Sequence, residues 1–199
     1  MDYHSFLRSR RSVRRFAAAP VSAAVLQRML ETATYAPSSH NRQPWRFAVL
    51  TEASTKAQLA EAMAVAFRRD LGADGLPADE ITGLIGRSKS RVQSAPVVIV
   101  LCMDMSEMDG YPDSRRQGAE RTMALQSTSL AGLQLLLAAH AEGLGGVWNC
   151  APLFAPREVS EALHLPQTWE PQGMILVGIP AETPVARPRK PVQEIAIIR

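Results

Sequence analysis

Cysteine is nearly absent. The 199 residues include two, Cys102 and Cys150, far apart and in no CxxC pair. That argues against both a disulfide framework and a cysteine-bound structural zinc. The four histidines are scattered, and His40 has no second histidine or acid at ligand spacing, so no metal site is predicted. Long apolar runs are missing too. The greasiest stretch, Leu130 to Ala141, contains Gln134 and His140 and is too short to span a bilayer. The opening MDYHSFLRSRRSVRR lacks the apolar segment of a signal peptide. Together these features predict a reducing, cytoplasmic setting. Charge of one sign is also lacking: 22 Lys+Arg against 19 Asp+Glu leaves +3, too little to argue for nucleic acid by itself. There is no P-loop, HExxH or GxSxG motif, no internal repeat and no domain linker.

What remains is an ordinary globular composition, 46% apolar and 21% charged, in a chain long enough for one domain over residues 1–199. Residues 2 to 9 suit a short helix. Ser22 suits an N-cap, followed by Val25, Leu26, Met29, Leu30 and Ala33 at helical spacing. Pro37 ends that helix, a polar loop follows, and Arg46 to Leu50 reads as a strand. Helices are predicted over Ser54 to Arg69, with a break at Gly72 to Pro77, and over Asp79 to Gln93. Val97 to Leu101 is a β-branched run of the kind buried on both faces. An acidic loop, Asp104 to Asp113, precedes an unbroken helix over Ser114 to Glu142. The second half of that helix is apolar nearly all round, so burial on every side is expected, in a core or a subunit interface. Short strands at Val147 to Cys150 and Met174 to Gly178 flank a helix opened by Pro156. The proline-rich tail ends in an apolar, strand-like Ile195 to Ile198. Helices and strands alternate too irregularly for βαβ units, which predicts an α+β sandwich around one central sheet. An exposed apolar tail predicts that it wraps a partner subunit and adds a strand there.

Four segments could do chemistry. Arg8, Arg10, Arg11, Arg14 and Arg15 surround Ser12, and guanidinium forks with a hydroxyl suit a phosphate. A solvated basic arm or a nucleic-acid patch stays open on those residues alone. Pro37 to Trp45 offers hydroxyls, amides and His40 between prolines, which suits a polar heterocycle or is merely a capped turn. Gly143-Leu144-Gly145-Gly146-Val147-Trp148 is half a dinucleotide fingerprint that Trp148 spoils. Cys150 has no identifiable base and reads as a buried structural thiol. Arg187-Pro188-Arg189-Lys190-Pro191 could close over the same phosphate or be a solvated tail.

In this order, these segments resemble the FMN-dependent nitroreductase family. The resemblance rests on Arg10-Arg11-Ser12-Val13-Arg14, Ala36-Pro37-Ser38-Ser39-His40-Asn41-Arg42-Gln43-Pro44-Trp45, the glycine run through Trp148, and the basic tail. It implies a three-layer sandwich with a mostly antiparallel sheet and a C-terminal strand exchanged between the subunits of a homodimer. Arg10, Arg11, Ser12 and Arg14 would hold the FMN phosphate and the pyrimidine edge, with Arg189 and Arg187 or Lys190 closing on the phosphate. Ser38, Ser39, His40, Asn41 and Gln43 would reach the flavin from the partner. The backbone N–H groups around Cys150 and Ala151 would lie near flavin N5. The implied activity is ping-pong hydride transfer from NADH or NADPH to a small conjugated acceptor, with no indispensable acid–base side chain. A narrower likeness, in residues 68–78, 111–123 and 163–171, is to the reductase domain of the coenzyme F-420 γ-glutamyl ligases. It adds a deazaflavin precursor to nitro-aromatics and quinones as acceptor types. A flavin or deazaflavin carrier without turnover is the alternative. Residues 68–93 and the acidic loop are the expected specificity lid.

Overall fold

Alternation along one strand sets the layers. A computed structural model describes residues 2–199, and its central strand, β2 (Val97–Asp104), is buried at all eight positions. Val98, Val100 and Cys102 face one helical layer, while Val97 and Ile99 face the other. Six helices and four strands follow in chain order: α1 (Tyr3–Ser9), α2 (Ala23–Ala33), β1 (Trp45–Leu50), α3 (Ala53–Ala73), α4 (Ala78–Ser94), β2, α5 (Ser114–Ala141), β3 (Gly145–Asn149), α6 (Pro156–Ala162) and β4 (Trp169–Gly178). The sheet order is β1-β2-β4-β3, and every pairing is antiparallel. Leu59 and Met63 of α3, Val92 of α4 and Val159 of α6 pack on one face; Met29 of α2 and Leu135 of α5 pack on the other. The result is the expected three-layer α+β sandwich.

Local chemistry explains the boundaries. The Ser22 side chain accepts from the Val25 N–H, as an N-cap should. α4 stops because Ala95 precedes Pro96. The carbonyls between α4 and β2 need a donor there, and buried Lys56 supplies it: Nζ bonds the Ala95 carbonyl at 2.7 Å and the Pro96 carbonyl at 3.2 Å. Burial lowers the affinity of that amine for its proton, with Glu52 opposing.

Two expectations need correction, and two apolar features stay exposed in the single chain. α3 passes through Gly72 to Ala73, because a solvated glycine weakens a helix without ending it. Asp104 belongs to β2, not to the loop after it. α5 is not covered all round: Leu125, Leu130 and Leu133 are 41 to 45% exposed in the single chain. Ile195 to Ile198 forms no strand within the chain; it follows a short 3-10 turn at Val192–Glu194 and lies exposed.

Trp148 ties β3 to its neighbours through two glycines. A Cβ on Gly132 of α5 would sit 2.1 Å from the Trp148 ring and 2.9 Å from Leu101, and one on Gly173 of β4 would sit 3.1 Å from the indole. Gly132→Ala should therefore destabilise the fold by about 1–3 kcal/mol through overpacking. Denaturant unfolding checks this, and an unchanged midpoint would contradict the packing.

Candidate functional site

Residues 12–17 lie along the open edge of the sheet and fix the site. Ser12 pairs in parallel with Gly146, and the Val13 N–H donates to the Gly146 carbonyl at 3.1 Å. Beyond it, Ala17 N–H donates to the Ile179 carbonyl at 2.9 Å and Ala181 N–H to the Arg15 carbonyl at 3.1 Å. The segment is thus clipped both to β3 and to the chain leaving β4. The glycine run exists for this approach: a Cβ on Gly145 would lie 2.5 Å from the Val13 side chain. Those glycines therefore serve packing, with no dinucleotide turn.

This pairing brings the N-terminal arginines and the basic tail together. A cavity of about 130 Å³ is lined by Arg11, Ser12, Arg14, Arg187 and Arg189, with Pro184 and Val185. A larger one of about 450 Å³ adjoins it, lined by Arg10, Arg11, His140 and the Gly143–Gly146 turn under Thr183 and Pro184. Arg10, expected beside Ser12 and Arg14, opens instead onto this second cavity, and Arg11 is shared. Among the described residues only Arg15 of the group has a carboxylate partner, Glu182 at 3.3 Å. Burial, then the charges of Arg189 and Arg11, lower the affinity of Arg10 for its proton. So many unpaired guanidinium groups around a cavity of phosphate size attract an anion.

The loop after α2 has a different character. His40, Asn41 and Gln43 all have positive φ, at 48°, 56° and 49°. Non-glycine residues seldom adopt that conformation, and it costs on the order of 1–3 kcal/mol each. Hydrogen bonds hold it: Gln43 N–H to Ser38 Oγ (3.1 Å), Ser39 N–H to Ser127 Oγ (3.2 Å), and Arg46 Nη1 to the Gln43 carbonyl (3.0 Å). Arg46 also faces Asp104 at 3.3 Å. Burial raises the Asp104 carboxyl, but bonds from Ser106 and Thr168 and the Arg46 charge outweigh it, holding the group below the usual carboxylate range. Arg42 pairs with Asp109 at 2.5 Å. His40, Asn41 and Gln43 are exposed.

Within one chain the two halves stay apart. The loop sits on Met123 and Ser127 of α5, whereas the arginine cavity meets α5 at Leu136 and His140. Leu136 and His140 lie nine and thirteen positions beyond Ser127, roughly 14 and 20 Å along the helix at ~1.5 Å per residue. Cys150 and Ala151 follow the far end of β3. Cys150 is exposed, which corrects its reading as a buried thiol; the Trp148 Nε1–H donates to its Sγ at 3.1 Å. The Ala151 N–H is bound within the chain, to Asn149 Oδ1 at 2.9 Å. Ser127, Met123, His140, Thr183 and Asp109 had no signal in the spacing, because each joins the site through a long-range contact.

The fold and this cleft define a three-layer sandwich protein with an arginine-lined cavity at one sheet edge. The chain belongs to the nitroreductase family, whose model matches residues 7–179. An NADH dehydrogenase of Thermus thermophilus is 29% identical over 224 aligned positions, spanning 100% of this chain and 97% of that protein. A Desulfovibrio desulfuricans protein solved in complex with FMN is 25% identical, with a TM-score of 0.75 over 100% of this chain and 97% of that one. A BluB-like flavoprotein of Clostridium difficile shares the fold at a TM-score of 0.83 and 21% identity, covering 100% and 99% of the two chains. No helix among the described residues is long and apolar enough to cross a membrane.

The two thiols should behave oppositely. Burial pushes Cys102 up to about 12 from its ordinary 9.0, so the fold keeps it protonated. Because the folded value is raised, this contribution to stability is complete below pH 9 and fades as pH climbs toward 12. With a thiol reagent at pH 8, one equivalent should react promptly at Cys150 and the second only after unfolding. Two prompt equivalents would contradict the burial of Cys102.

Proposed function

We propose that the chain is an FMN-dependent NAD(P)H oxidoreductase acting on a small conjugated acceptor, as a homodimer with the flavin between subunits. The observation that carries this is the set of arginines without carboxylate partners around the small cavity, which fits the phosphate of FMN by charge and size. Arg11, Ser12, Arg14, Arg187 and Arg189 would hold that phosphate, with Arg10 beside them. FMN, when bound, supplies exchange of a hydride equivalent at its N5 between a reduced nicotinamide and an acceptor. The chain from Trp148 to Ala151 would flank that reactive end. The arginines orient the cofactor and place positive charge where negative charge develops, which is electrostatic preorganisation and needs no side chain that shuttles protons.

The loop and the arginine cavity meet α5 at points roughly 14 to 20 Å apart along the helix at ~1.5 Å per residue, and this separation supports donation of Ser38, Ser39, His40, Asn41 and Gln43 from a second subunit. The exposed leucines of α5 and the apolar tail, where Ile198 is 94% exposed, give that subunit something to cover. We infer an exchanged tail on the same ground. The acceptor is of nitro-aromatic, quinone or deazaflavin-precursor type; the last is supported by the likeness of residues 68–78, 111–123 and 163–171 to the F-420 ligase reductase domain. Cytoplasmic placement goes with the reduced nicotinamide donor.

The test is a visible spectrum of the purified protein before and after anaerobic NADH or NADPH. A flavin spectrum that bleaches and returns with a quinone supports turnover; bound flavin unmoved by either donor would favour a carrier. A colourless protein that refuses added FMN would overturn the reading. Arg14→Ala and Arg189→Ala should each weaken FMN binding by about tenfold or more, as loss of one charge-assisted bond of ~1.5–3 kcal/mol predicts; full flavin occupancy in both would count against these roles. Light scattering should show a dimer, and a variant ending before Val192 should lose it.

A further inference from the structure

The strained loop is held by contacts that the proposed chemistry does not use. Three positive-φ residues within residues 40–43 persist only where the surroundings over-determine them. Three of the hydrogen bonds that do so are local or reach the core directly. The fourth restraint is a relay. Arg42 pairs with Asp109, and the Asp109 N–H donates to Glu120 Oε1 at 3.1 Å. Glu120 lies on α5 with no exposed surface, and its Oε2 has no partner among the described residues. Gln117, one turn earlier, accepts from the Tyr111 N–H at 2.9 Å, so α5 grips the acidic loop at two points. A buried carboxyl group with an idle oxygen is a costly anchor in a helix that could have carried an apolar residue. Its one recorded bond goes to Asp109, the residue that holds Arg42.

We propose that Glu120 and Arg42 are positioning residues: through Asp109 they lock the loop of residues 38–43 in the form whose left-handed residues, His40, Asn41 and Gln43, are presented to a ligand. The inference rests on the reading above that this loop meets the flavin or acceptor of the partner subunit. The acidic loop is then the fixed end of a strut from α5, and its role is to hold its neighbour still. That differs from a lid that opens and closes over substrate.

The test separates the strut from its use. Hydrogen exchange on the full-length, FMN-stripped protein reports the strut alone. Arg42→Ala and Asp109→Ala should each speed exchange of the Ser39 and Gln43 amides about three- to tenfold, the double variant no more than either single one, since both break one contact. Glu120→Gln keeps the acceptor oxygen and should exchange like the wild type, while Glu120→Leu should match Arg42→Ala. FMN titration and the acceptor KM then report use: Arg42→Ala should raise the FMN Kd or the KM by the same factor with kcat unchanged. Multiplying effects in the double variant, or a Glu120→Gln variant as fast as Glu120→Leu, would overturn the strut. Faster exchange with unaltered Kd and KM would overturn the positioning role. If Glu120→Leu fails to fold, the surface pair Arg42 and Asp109 decides the matter. A wild-type protein that binds no FMN would sink the flavin reading and leave the exchange result standing.

Discussion

The pairing of residues 12–17 with the sheet edge is the constraint on which the site depends. Without it the N-terminal arginines would be a solvated arm, and a segment beginning at Pro180 would have no reason to turn back toward them. One parallel bridge to Gly146 and one antiparallel bridge to Pro180 make the segment a splice between β3 and the chain leaving β4. The splice needs close backbone approach, and that is what Gly145 and Gly178 provide, the latter beside Phe16 and Pro96. Two glycines and two bridges thus gather guanidinium groups from opposite ends of the chain. Charge by itself would have driven them apart.

A second constraint is the length of α5. The helix passes beneath both halves of the site, with Met123 and Ser127 under the strained loop and Leu136 and His140 under the arginine cavity. Because a helix is stiff and rises ~1.5 Å per residue, it holds the loop and the cavity at points roughly 14 to 20 Å apart along it. The outer leucines of the same helix stay exposed. Separation and exposure point the same way: what one chain holds apart, a second copy across α5 can bring together.

How much of this was legible in the sequence follows from the range of the contacts involved. The Ser22 cap, the proline stops and the unbroken β-branched run Val97 to Leu101 are local signals, and they placed these elements to within a few residues. The likeness of Arg10 to Arg14 and of the tail to phosphate-binding segments was visible because residue type carries that chemistry. Cys150 was misjudged because a thiol in an apolar context is usually inside, whereas here β3 ends one residue earlier and turns out. The outer face of α5 stayed between core and subunit interface because periodicity cannot distinguish a face covered by the same chain from one left for another. Arg42, Asp109 and Glu120 sit in three segments joined only by the fold, and no spacing rule connects them.

Strain in one loop and like charge in one cleft have a common consequence. Each raises the free energy of the ligand-free protein locally, the loop by backbone conformation and the cleft by repulsion and by burial of Arg10. The rest of the sandwich can carry both because its sheet is buried on two faces and its core strands are apolar at nearly every position. An anion in the cleft removes the repulsion, and a ligand against the loop uses a conformation already paid for. Binding to such a site stabilises the fold by mass action, in proportion to how far ligand concentration exceeds the dissociation constant. The site is thus preorganised at the expense of the empty state: a bound anion would relieve the repulsion in the cleft, while the loop is already held in the form its ligand would meet.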